Sequence, residues 1–285
     1  VKGSAVSYAA VIPPSGWTPS GWTPPARKKN EMITHGHVHV NGVQKIPQFW
    51  LLWAVLCLNV SAGIGVIGMA SPMLQEVFGG KLLGLDGPLA SLSTADKIRA
   101  ASIGAGFAGL LSLFNIAGRI FWASLSDYIG RKRTYVIFFA LGAVLYAATP
   151  FAGGIKNVAL FVGLFCLILT MYGGGFATIP AYLADLFGTQ FVGAIHGRLL
   201  TAWSTAGILG PVLVNYIREY QIKRGVPNEA AYSVTMYILA GLLLLGFLAN
   251  ILVRPVAAKH FMTEEELARE RRLGHEKGNA AGAGL

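Results

Sequence analysis

Long apolar runs separated by short charged blocks organise this chain. Six of them, at roughly 49–70, 100–123, 134–152, 158–181, 199–217 and 232–253, approach or exceed the ~20 residues an α-helix needs to cross a hydrocarbon core. Lipid offers no partner to a free backbone group, so runs of this kind form helices. No stretch of about ten residues alternates apolar and polar with period two, which sets a transmembrane barrel aside. The pattern predicts an all-α membrane protein with six transmembrane helices. Pro150 and Gly153-Gly154 close the third run. Gly173-Gly174-Gly175 with Pro180 marks either a loosened stretch beside a binding site or close helix packing. Ala202, Ala206 and Gly210 make a small-residue ridge of the packing kind.

Outside the runs the chain changes character. Residues 1–48 are rich in Pro, Gly, Ser and Thr and repeat Gly16-Trp17-Thr18-Pro19 as Gly21-Trp22-Thr23-Pro24. This reads as an extended linker that buries no core. Its apolar stretch, Ala5 to Ile12, stops at Pro13-Pro14 and is too short for a secretory signal. After the bundle, 49–253, comes a polar tail, 254–285. There Thr263 and Glu266 form a capping box for a short helix that Gly274 would end.

Composition sharpens the membrane reading: 54% of residues are hydrophobic and 13% charged, against about 25% charged in soluble domains. The net charge of +10 need not mean nucleic acid, because Lys and Arg divide unevenly about the spans. Sixteen, counting Arg119 and Arg198, fall on the side of the termini, and seven on the other. By the positive-inside rule both termini are cytoplasmic, in a plasma or inner membrane, and no nucleic-acid partner is expected. Cys57 and Cys166 lie inside apolar runs, as small packing residues do.

The block between the second and third runs carries the most specific signal. Ala123, Leu125, Asp127, Tyr128, Gly130, Arg131 and Lys132 resemble G-x-L-x-D-R-x-G-R-K, the cytoplasmic loop motif of the major facilitator superfamily. Ala123 and Tyr128 depart from it. The motif also makes sense physically, since Gly130 permits a tight turn between antiparallel spans and Asp127 can pair with Arg131 at a helix end. Two further stretches, Asn59 to Met73 and Gly173 through Arg198 to Pro211, resemble the seventh, tenth and eleventh helices of the oxalate/formate antiporter family. The Pro-Gly-Trp leader is similar to that family's central loop.

What the resemblance implies is one half of a major facilitator bundle, the C-terminal one, working by alternating access against an N-terminal six-helix half. The implied partner is a small carboxylate anion. It also implies basic residues on the eighth and eleventh helices where a dicarboxylate is carried. With Arg119 and Arg198 placed at the cytoplasmic ends, and Trp203 where a cation would stand, the spans are expected to lack a central cation. A buried dianion without a countercharge is heavily penalised, so a monocarboxylate is expected over oxalate. A major facilitator carrier of another substrate class, or a non-transporting membrane anchor, remains an alternative.

Asn59, Asn115, Tyr172 and Trp203 are the expected substrate-binding residues, with interhelical hydrogen bonding as the competing role for each polar group. Asp127, Gly130, Arg131, Asp185 and Arg198 are the expected conformational switch. His35, His37 and His39 alternate, but no further Cys or His stands near them, so no metal site is expected, and no cofactor. No span holds His, Asp or Glu away from its ends, which argues against enzymatic acid–base chemistry.

Overall fold

The computed structural model describes residues 32–282 except residue 229, with side chains to Leu273. The Gly-Trp-Thr-Pro repeat lies outside the described residues. Every regular element described is helical: α1 Pro47–Phe78, α2 Thr94–Ile129, α3 Arg131–Gly154, α4 Val158–Phe187, α5 Val192–Leu199, α6 Thr201–Lys223, α7 Tyr232–Leu252 and α8 Glu264–Gly282. Six helical segments are long and apolar enough to cross a membrane, with α5 and α6 forming one of them. Six crossings bring the start of α1 and the end of α7 to the same end of the bundle, called here the terminal end.

Two of the spans start on polar caps. Ser93 caps α2, its hydroxyl accepting from the Asp96 N–H at 3.1 Å, and Asn157 caps α4 through the Leu160 N–H at 2.9 Å. Such caps satisfy donors that the first helical turn leaves open. The α2–α3 turn is a single residue, Gly130, at φ 90° and ψ 145°, a conformation essentially confined to glycine. The tail helix starts on the expected capping box, Thr263 N–H to Glu266 at 2.9 Å and Glu266 N–H to Thr263 at 3.3 Å. Gly274 does not end it; the helix runs on to Gly282.

Small residues set how closely the helices cross. A Cβ on Gly118 of α2 would lie 2.2 Å from the Thr170 carbonyl oxygen of α4. Gly173 meets the Asn115 carbonyl in the same way, and Gly174 the Trp122 ring. The triple glycine therefore does not loosen α4, which is an unbroken helix. It lets α2 and α1 come close, as small residues do between membrane helices. The ridge on α6 behaves as expected: Ala202, Ala206 and Gly210 are buried, and Gly210 faces the Ser61 carbonyl of α1.

Residues 32–46 are seated on the terminal end rather than extended free of it. Thr34 and Val38 donate their N–H groups to the Asp185 and Phe187 carbonyls, at 2.8 and 2.9 Å. Both acceptors belong to the last turn of α4, whose carbonyls lack helical partners. The His37 carbonyl accepts from Met262 N–H at 2.8 Å, tying in the approach to α8. Val38, Val43 and Ile46 are fully buried, so this part of the leader contributes to the core.

Candidate functional site

Burial is uneven around the bundle. In the apolar window of α1, 61% of residues are buried, against 22% in those of α2 and of α5–α6. The exposed surface of α2 and α6 carries Ser112, Arg119, Ser204, Thr205 and Asn215 beside large apolar side chains. A guanidinium is costly against hydrocarbon, so a charged residue within a span faces protein or a water-filled cavity.

Arg119 is the centre of this surface, and its depth corrects the sequence reading. Its neighbour Gly118 packs on Thr170, near the middle of α4. From Arg119 to Ile129, the last residue of α2, is ten residues, about 15 Å of helix at 1.5 Å per residue. The helix itself, at 36 residues, is longer than a hydrocarbon core about 30 Å thick requires. Arg119 thus stands ten residues inside α2 rather than at its tip, deeper than an end-of-span placement gives it. Nε of Arg119 donates to Asn115 Oδ1 at 3.3 Å. The guanidinium carbon lies 5.7 Å from the Phe176 ring centroid, a cation–π arrangement. Phe176 in turn meets Trp203 edge-on, centroids 4.6 Å apart at 71°. Among the described residues no carboxylate pairs with Arg119.

Three of the four expected binding residues gather here. Asn115 touches Arg119, Trp203 is 39% exposed on the same face, and the Tyr172 hydroxyl is within reach of the Arg119 charge. The Tyr172 ring fills a notch at Gly63, where a Cβ would sit 2.1 Å from it. Asn59 is elsewhere: 6% exposed, it lies between α1 and α4 with Nδ2 against Gly175 and without a hydrogen-bond partner. Sequence reasoning missed Phe176 as well as the depth of Arg119. The available signal was the count of ten helical residues back from the Gly130 turn.

The expected switch residues divide into two groups. Arg131 pairs with Asp127 and donates to the Ser126 hydroxyl at 2.8 Å. Asp185, half-buried at the end of α4, lies within electrostatic reach of both. Gly130 makes the turn that brings Arg131 to Asp127. Arg198 is apart from them. Its guanidinium donates to the Val40 carbonyl and, at 2.9 Å, to Asn41 Oδ1, clamping the seated leader. The three leader histidines form no metal cluster among the described residues. His37 Nδ1 accepts from Gln190 N–H at 3.4 Å, while His39 Nε2 stands 3.9 Å from Glu270.

At the opposite end an unanticipated knot joins α1, α6 and α7. Arg218 pairs with both oxygens of Glu76, at 2.5 and 2.8 Å, and donates Nε–H to the Tyr232 hydroxyl at 2.8 Å.

Comparison with known proteins bears on both the motif and the two helical stretches. The oxalate:formate antiporter of Oxalobacter formigenes is 27% identical over 183 residues, 64% of this chain and 39% of that protein. Apicoplast pyruvate carrier 2 of Toxoplasma gondii is 27% identical over 189 residues, 60% of this chain and 29% of that protein. The glucose transporter GlcP of Staphylococcus epidermidis is 35% identical over 95 residues, 32% of this chain and 20% of that protein. The chain thus spans well under half the length of these relatives. The Major Facilitator Superfamily matches it over residues 5–211 and again over 60–277. With the loop motif turning at Gly130 and six membrane-length helices behind it, the chain belongs to the Major Facilitator Superfamily, a family of transporters.

Proposed function

We propose that the chain is the C-terminal half of a secondary carrier for small carboxylate anions, with Arg119 as the cation that receives the carboxylate. The observation that carries this is an arginine well inside α2, on the exposed surface of α2 and α6, without an acidic partner among the described residues. Phe176, Trp203 and Tyr172 shape the space around it. The similarity to an antiporter of oxalate and formate and to a pyruvate carrier agrees with an anionic substrate. An N-terminal six-helix half covers the open face, and the two halves rock about the site.

The preference for a monocarboxylate keeps a different footing from the one first expected. On the surface the other half would cover, α2 supplies a cation, Arg119, where none was expected. One carboxylate matches that charge, whereas oxalate would leave a second negative charge within the membrane. The test is uptake of labelled formate or pyruvate into proteoliposomes of the full-length carrier. Arg119→Gln should lower uptake at least about tenfold, the loss of roughly 1.4 kcal/mol of binding, at unchanged abundance. Unchanged uptake in Arg119→Gln would remove Arg119 from the site. Oxalate competing ten times better than formate would overturn the monocarboxylate preference.

The termini are assigned to the cytoplasm. With Arg119 counted inside α2, 15 Lys and Arg remain on the terminal side against 7, and the sign of the rule is unchanged. In a Cys57→Ala, Cys166→Ala background, Lys223→Cys should label from outside intact cells with an impermeant reagent, and Glu265→Cys should not. The reverse pattern inverts the topology. In the same scheme Asp127, Arg131 and Asp185 hold one state of the carrier on its cytoplasmic side.

A further inference from the structure

The geometry points to Asn115 as a positioning residue that orients the Arg119 guanidinium, not as a substrate ligand; this rests on the reading of Arg119 as the anion site.

A guanidinium has five N–H donors in a rigid plane. In Arg119 the Nε–H is taken by Asn115 Oδ1, one turn back on α2. One face of the plane looks onto Phe176. Among the described residues no hydrogen bond is made by its terminal nitrogens. With Nε engaged, the edge left for a carboxylate is the end-on pair of terminal nitrogens, which matches two carboxylate oxygens. Asn115 is itself hemmed in, because α4 comes so close at Gly173 that a Cβ there would lie 2.1 Å from the Asn115 backbone carbonyl oxygen and 2.8 Å from its Oδ1. The chain of constraint runs from that helix crossing through Asn115 to the fork.

The residue type is informative. An amide oxygen pins Nε while leaving the positive charge of Arg119 intact. An aspartate of nearly the same shape would pin it equally and cancel the charge. Asparagine thus gives orientation without neutralisation, the combination an anion site requires.

The experiment is uptake of labelled formate by the full-length carrier in proteoliposomes, with membrane abundance measured alongside. Asn115→Asp should weaken apparent affinity more than Asn115→Ala does, although it is the closer isostere. Asn115→Ala should raise KM about tenfold, in the range of one hydrogen bond to a charged group, with abundance kept. In the Arg119→Lys background, which has no Nε–H fork, Asn115→Ala should change KM less than twofold. An Asn115→Ala effect of full size in that background would overturn positioning, since a direct ligand or a packing role acts independently of the fork. Asn115→Asp transporting as well as Asn115→Ala would overturn it too, and does not require Arg119→Lys to be active. Arg119→Gln at wild-type activity would instead remove the anion site itself, a result distinct from either.

Discussion

At the end away from the termini, α1, α6 and α7 are joined by a two-oxygen ion pair, Arg218 to Glu76, backed by Tyr232. At the terminal end the fastening is spread over many weaker links. Leader N–H groups meet the last carbonyls of α4, Lys132 donates to the Ile251 and Val253 carbonyls at the end of α7, and Arg198 holds Val40 and Asn41. The Glu76 and Arg218 side chains are both largely buried, 16% and 20% exposed, whereas in the other pair Arg131 is 15% exposed but its carboxylate, Asp127, is 65% exposed. One end concentrates its cohesion in a partly desolvated pair; the other distributes it over bonds that can be exchanged one at a time. Under the proposed carrier function the second arrangement suits an end that opens and closes, because no single rupture is large.

The strongest way to break this contrast is Arg218→Leu. It leaves Glu76 partly buried without its cation, a loss of about 3 kcal/mol, visible as a lower melting temperature of the purified full-length protein. Replacing Glu76 by Leu as well should recover part of the loss, since no charge then remains unpaired. Equal melting temperatures for wild type and Arg218→Leu would show the two ends to be alike.

Asp127→Asn is expected to act on turnover rather than on stability. A pair whose carboxylate is this exposed is worth about 1 kcal/mol, enough to shift the balance between two states about fivefold. Transport by the full-length protein should slow by up to that factor while membrane abundance stays near normal; normal turnover would exclude the cluster from state control.

The smallest effect belongs to Arg198→Gln. Losing one clamp among several links should leave the melting temperature within about 2 °C, as a contact of less than about 1 kcal/mol implies. Hydrogen exchange of the backbone around Val40 should nonetheless quicken. A global loss of stability would mean that the leader is held at one point only.

The spans and their number were legible because a bilayer-length apolar run has few alternative fates. The Gly130 turn was legible from its motif, and the Thr263–Glu266 box from its spacing. Helix ends were less so: Arg131, Lys132 and Arg133 look like loop residues, yet they form the first turn of α3. Arg119 was misplaced for the same reason, since its membership of the loop motif drew it toward the surface while ten more helical residues follow it. The triple glycine was ambiguous because its role is set by Asn115, Trp122 and Asn59 on other helices, which one segment cannot announce. The seating of residues 32–46 had no side-chain signature, for its main partners are backbone carbonyls of α4.

Arg119 also bears on how the chain is made. A mid-helix arginine adds about 3 kcal/mol to the cost of entering lipid from the translocon, and the apolar window of α2 has a mean hydropathy of 1.6, below the 1.9 of α3 and 2.0 of α4. The helix that seats α2 most closely, through Gly173 and Gly174, is α4, which leaves the ribosome only after α3. For that interval the arginine has neither Phe176 nor the Gly173 crossing to shelter it. The basic turn Arg131-Lys132-Arg133 follows at once, at the terminal end of the α2–α3 hairpin. The entry of α2 into the bilayer is therefore expected to be more favourable with α4 present than without it, which insertion of a series of truncated chains would measure.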